Sequence, residues 1–196
     1  WAELESLKIK GTMELESGTF QLRAYQKKPN LVKLSVRHLE NRSTMEVGFD
    51  GSMAWEKPPQ QAAQPMTPEK ARQFRHSSIF GSYLLYPYAE GKTIRLIDTV
   101  PVEGAICHHL RVTLDSDYQV DYFLDIRTLL ELKVANTDLR TGATNHILYE
   151  GYEQVSGWPV ATSVESYGAG EWISSLRLEE VRVNTGVMHW MFRVPQ

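Results

Sequence analysis

The chain has 196 residues, 42% of them hydrophobic and 23% charged, with a net charge of -3, a balance that suits one globular domain with a sizeable core. Lysine and arginine are dispersed, without the concentrated cationic face that a nucleic-acid partner requires. The single cysteine, Cys107, excludes an intrachain disulfide, a CxxC redox pair and a zinc cluster built on several cysteines, and no apolar run reaches the roughly 18 residues of a transmembrane helix.

The sequence opens at Trp1 without a methionine and passes almost at once into strand-like residues, which reads as a trimmed or processed chain. Period-2 alternation dominates from there. In "TFQLRAYQ", Phe20, Leu22 and Ala24 share one face, and Gln21 and Arg23 the other. Beyond Pro29-Asn30, Val32, Leu34 and Val36 alternate with Lys33, Ser35 and Arg37, and beyond "ENRS", Met45, Val47 and Phe49 alternate with Glu46 and Gly48. Asp50-Gly51 is the strongest hairpin signal, and "MAWE" follows it. A Pro/Gln/Ala loop then leads to Thr67, an N-cap ahead of Pro68 in the first helical position. The spacing predicts one helix from 68 to about 80, docking through Ala71, Phe74 and Ser78 or Ile79. The aromatic stretch "SYLLYPYAEG" follows as an irregular segment. Strands resume over about 92–99, 105–114, 118–125, 129–136, 146–153, 159–166, 172–179 and 180–184, joined by polar turns such as "DSD", "DIRT" and "YGAGE".

Ten to twelve antiparallel strands with one helix pose a packing problem. A sheet of that size must curl and bury one face. One helix of about 13 residues cannot cover it, so an apolar concavity is left either to be closed into a barrel or to take a ligand. A transmembrane barrel is disfavoured by the helix and its loop, and by Arg23, Lys33, Arg111, Glu131 and Lys133 on the strands.

The stretch "GAICHHLRVTL" has the letters of a metal or nucleophile site. Alternation places Ile106, His108, Leu110, Val112 and Leu114 on one face and Cys107, His109, Arg111 and Thr113 on the other. Cys107 and His108 therefore cannot share a metal. Cys107 and His109 offer two ligands where zinc takes three or four, and nothing near Cys107 suggests activation of a thiolate. Asp121 and Asp125 share a face at ~13 Å, beyond the ~5–9.5 Å of a glycosidase pair. The GxSxG, HExxH, GxxxxGK[ST] and GxGxxG patterns are absent, so the residues call for no cofactor and no metal. Asn41 in "NRS" fits the glycosylation pattern. Trp55, Tyr83, Tyr86, Tyr88, Tyr122, Tyr149, Tyr152, Trp158 and Trp172 read equally as core or as lining of an apolar pocket.

Motifs in order along nearly the whole chain carry a resemblance. "LESLKIKGTMEL" resembles the first strand of the bacterial outer-membrane lipoprotein-sorting family, the LolA/LolB-like proteins. "KKPNLVKLSV" looks like its proline-joined strand pair and "GFDGSMAWEKPP" is similar to its "DG…W" hairpin. "VPVEGAICHHLRVTLDSDYQVDYFLDIRTLLELKV" looks like its "V-x-G…" strand with the following "D-x-x-T-x-L". "YEGYEQVSGWPVATSV" resembles its punctuated strand pair, and "FRVP" its terminal "F-x-x-P". The resemblance implies a single LolA-like domain over 1–196: mainly β, one strongly curved antiparallel sheet forming an open half-barrel, with a helix lidding the concave face. It also implies a non-enzymatic periplasmic or envelope carrier or receptor that binds a lipid or the acyl chain of a lipoprotein, with an envelope protein as a further partner and a lipid anchor on an absent N-terminal segment. The family's lid-locking arginine would fall in the region of Arg37.

Combined with the alternation, this reading takes Trp55, Phe74, Leu96, His108, Leu110, Tyr122, Leu132, Tyr149, Trp172 and Leu176 as ligand-binding walls. His108 would be the polar group in an apolar wall, able to orient a lipid head or a water. A scaffold or receptor module using the same concave face for a protein partner is the alternative, and a hydrolase acting near Cys107 a weaker one.

Overall fold

The computed structural model describes residues 3–85 and 91–195. Tyr86 and Tyr88 lie outside the described residues. The strands are β1 (Ser6–Leu15), β2 (Gly18–Lys27), β3 (Leu31–His38), β4 (Thr44–Phe49), β5 (Ala54–Lys57), β6 (Gln64–Pro65), β7 (Thr93–Val102), β8 (Ala105–Leu114), β9 (Tyr118–Asp125), β10 (Glu131–Asp138), β11 (Thr144–Val155), β12 (Trp158–Gly168) and β13 (Glu171–Val183). One helix, α1 (Pro68–Ser77), stands between β6 and β7, and a 3-10 turn spans His189–Phe192. The strands form a mainly-β, antiparallel sheet in the order β6-β5-β4-β3-β2-β1-β13-β12-β11-β10-β9-β8-β7. Its ends are the edge strands β6 and β7, so the sheet is open, as expected. Except where β1 meets β13, neighbours in the sheet are neighbours in the chain.

Contacts divide the chain into two compact units, Trp1–Ser82 with Arg177–Gln196, and Tyr83–Leu176. In the first, register converts alternation into rows. Leu34 lies opposite Ala24 and Val47, and Val32 opposite Phe49, which lies opposite Ala54. The helix covers this face: Ala71, Phe74 and Met66 pack on the buried Val32, Phe49 and Ala54. Thr67 caps it as the sequence predicts, its hydroxyl accepting the N–H of Lys70 at 3.4 Å. Helix geometry ends at Ser77, three residues short of the predicted end, and Ser78 forms the cap with its N–H on the carbonyl of Arg75. In the β4–β5 connection Asp50 Oδ1 accepts the N–H groups of Ser52 and Met53 at 2.9 and 2.7 Å, while Gly51 takes a left-handed φ of 98° that glycine adopts without strain.

Two strand expectations change. The segments 172–179 and 180–184 are one strand, β13, because Glu179-Glu180 supplies no residue that breaks an extended chain. The strand expected at 129–136 begins at Glu131. Leu129 instead takes a left-handed φ of 59° in a turn organised by Asp125 Oδ1, which accepts the N–H groups of Arg127 and Thr128 at 2.8 Å. The Pro/Gln loop also contributes the short β6, paired with β5.

Candidate ligand-binding face

In the unit Tyr83–Leu176, strand register gathers several of the expected wall residues. Leu96 on β7 lies opposite Leu110 on β8, Leu110 opposite Tyr122 on β9, Tyr122 opposite Val134 on β10, and Val134 opposite Ile147 on β11. Directly opposed residues project from the same face, so these five form one apolar row. Tyr149 follows Ile147 by two on β11 and shares its face, opposite Val164. His108 precedes Leu110 by two, also on this face, between Thr99 and Leu124.

The row is graded from inside to outside. Tyr122 and Val134 are buried. Burial pushes the phenol of Tyr122 far above its ordinary value, and its oxygen accepts the N–H of Tyr83 at 2.9 Å. The Tyr83 carbonyl in turn accepts Lys92 Nζ at 2.8 Å. The segment following the helix is thereby held against Tyr122. Burial likewise raises the phenols of Tyr149 and Tyr152, aided by the charge of Glu131. Toward the β7 edge the row opens: Ile94, Leu96 and Ile106 are 45%, 63% and 47% exposed. Within the apolar wall, His108 Nδ1 is buried and has no hydrogen-bond partner.

The other expected residues go elsewhere. Leu132 sits at the register irregularity between Glu131 and Lys133. Trp172 and Leu176 are half-buried on β13, where Trp172 Nε1 donates to Ser175 Oγ at 3.3 Å. Phe74 belongs to the other compact unit and forms the helix's own seat. Trp55 is in that unit too, on the strand face opposite the helix. It faces Gly48 across the β4–β5 pair, is fully buried, and donates Nε1–H to the carbonyl of Phe192 at 2.9 Å. Arg37 shares Trp55's face, opposite Gln21 and Thr44, and is exposed, away from the face on which α1 packs.

On the far side of β8 and β9 the chain builds a polar cluster that the sequence analysis did not identify. Asp121 is buried, with His109 Nε2 2.6 Å and Arg111 Nε 2.8 Å from Oδ1, and Gln119 Nε2 donating to Oδ2 at 2.8 Å. The His109 ring stacks on Phe123 at 4.6 Å, and Lys133 Nζ lies 5.6 Å from the same ring. Folding the "DSD" hairpin about Ser116 pairs Arg111 with Asp121 and His109 with Phe123, so this cluster was open to a reader who paired the strands as well as alternating them. Burial pushes the Cys107 thiol up, and the charge of Asp125 adds to this, leaving it a poor thiolate. Among the described residues no group of three His, Cys, Asp or Glu is placed to hold a metal, and no helix is long and apolar enough to cross a membrane.

This arrangement of strands is found in other proteins of known structure. Three solved structures share it: a LolA superfamily protein from Nitrosomonas europaea (TM-score 0.67, 11% identity, 97% of this chain and 90% of that one); a domain from Vibrio parahaemolyticus provisionally classed as an outer membrane lipoprotein-sorting protein (0.67, 17%, 96% and 89%); and a DUF1329 family protein from Desulfovibrio piger (0.68, 14%, 97% and 90%). At these identities the likeness is one of fold. No family model and no curated protein matches the sequence.

Proposed function

We propose that this protein is a non-enzymatic carrier or receptor of the periplasm or cell envelope, holding an acyl chain of a lipid or lipoprotein on the apolar face of β7–β9. The observation that carries the proposal is the graded row: the exposed Leu96, with Ile94 beside it on β7, continues through Leu110 onto the buried Tyr122. An exposed apolar strip running into a core is a surface that gains by being covered. Each methylene laid along it contributes about 0.8 kcal/mol, so a long acyl chain binds without any specific polar contact. The lipoprotein-sorting domain that shares the fold supports an acyl chain as the occupant and the envelope as the compartment.

Delipidated protein mixed with palmitate and observed by native mass spectrometry tests this reading. The expected result is a one-to-one adduct whose affinity falls about tenfold or more in Leu96→Glu, where a charge must be buried beneath the chain. Leu96 is 63% exposed, so the substitution leaves the fold intact. No adduct with the wild-type protein, or equal affinity in the variant, would overturn the proposal and favour a protein occupant of the same face.

A further inference from the structure

The C-terminal turn in the unit Trp1–Ser82 with Arg177–Gln196 is anchored from within. Val187 and Phe192 are buried with Leu31, and Tyr25 packs against them. The carbonyl of Phe192 accepts the indole N–H of the fully buried Trp55. Between these anchors two large apolar side chains point outward: Met188 is 56% exposed and Trp190 66%.

Cations surround this turn. Lys8 stands opposite Tyr25 across the β1–β2 pair, its Nζ 5.8 Å from the ring. Lys27 stands opposite Leu31. Lys33 Nζ lies 5.7 Å from the Trp55 ring and 3.2 Å from Glu46 Oε1. Arg193, directly after the turn, is exposed. All three lysines share the strand face on which the turn rests. Register and alternation give the opposite, helix-covered face of β1–β5 no lysine or arginine among the described residues. In a chain whose net charge is -3, the attraction this face offers to an anion is local.

We infer that this turn and the basic strand face around it dock onto an anionic lipid surface. Trp190 and Met188 enter the interface between headgroups and acyl chains, where an indole is favoured, and Lys8, Lys27 and Arg193 lie toward the phosphates. A bilayer supplies both phases at one depth. An acidic protein surface would answer the cations and leave the two apolar side chains without a medium. This docking surface is in a different compact unit from the β7–β9 face and does not depend on what that face holds.

Co-sedimentation with phosphatidylcholine vesicles, with and without about 30% phosphatidylglycerol, provides the test. The wild-type protein is expected to pellet with the anionic vesicles at low salt and to be released at high salt, when the surface charge is screened. Trp190→Ala is expected to lower the partition coefficient about tenfold, and Lys27→Glu about fivefold or more, with circular dichroism unchanged in both. Leu96→Glu is expected to bind vesicles as the wild type does. Equal binding to neutral and anionic vesicles, undiminished binding by Trp190→Ala, or loss of binding in Leu96→Glu would each overturn the inference. Absence of vesicle binding would also overturn it, leaving an acidic protein as the partner for the same cations.

Discussion

Asp121 shows how two opposing effects are decided at one residue. Burial alone would raise its carboxyl, but hydrogen bonds from Arg111, His109 and Gln119, with the charge of Arg111, outweigh this and hold it below the ordinary carboxylate value. A carboxylate whose pKa is depressed in the folded state contributes stability above its unfolded value of about 3.9, and that stability is lost as pH falls through the depressed folded value. Acid titration of the folding midpoint should therefore show a loss of stability below about pH 4 that is flattened in Asp121→Asn. The same variant should be destabilised by about 2 kcal/mol at neutral pH, because Arg111 and His109 lose an ionised acceptor. Gly48 is constrained differently. A Cβ there would collide with Cζ2 of Trp55, and the indole cannot retreat because its N–H is held by the carbonyl of Phe192. Gly48→Ala should cost about 1–3 kcal/mol, read as a lowered urea midpoint with unchanged slope.

At the scale of elements, much was legible because the signals are local. Thr67-Pro68 announces the start of α1, and Ala71 and Phe74 are the residues that dock. The bounds of β8 and β9 follow from alternation punctuated by "DSD". The union of 172–184 into β13 was legible in principle, since nothing in Glu179-Glu180 interrupts an extended backbone. The position of Trp55 was not. Alternation separates Trp55 from its neighbour Ala54, yet both are buried, one toward the C-terminal turn and the other beneath the helix. Which face α1 covers is set by the fit of Ala71 and Phe74 to Val32 and Phe49, and a period-2 pattern carries no information about it. The row Leu96–Leu110–Tyr122 was half legible: each residue was identified singly, and their alignment required the β7–β8 register with its irregularity between Leu96 and Asp98.

For the whole molecule, topology is simple where the chain turns back on itself and demanding at one point. The chain lays β1 to β6 outward by hairpins, passes through α1, and returns from β7 to β13 until β13 stands beside β1. Strand β13 contributes its first residues to one compact unit and its remainder to the other. A strand cannot lose half of its ladder without exposing the backbone of the rest, so we expect the chain to unfold as one domain. Urea denaturation followed by tryptophan fluorescence and by far-ultraviolet circular dichroism should give coincident transitions; two separate midpoints would show instead that the units fold independently.

The amino-acid sequence by itself determined the class of structure, the turns, the capped helix and the sharing of a strand face by Ile106, His108 and Leu110. Backbone alternation and capping chemistry act between near neighbours and need no distant partner. Only the tertiary structure decided which face of each strand is covered, and by what. It placed Trp55 under a carbonyl 137 positions away in the chain, gave Asp121 three donors, and left Leu96 and Trp190 exposed. Burial is a property of surfaces brought together from remote segments, so it cannot be read from a pattern that repeats every second residue.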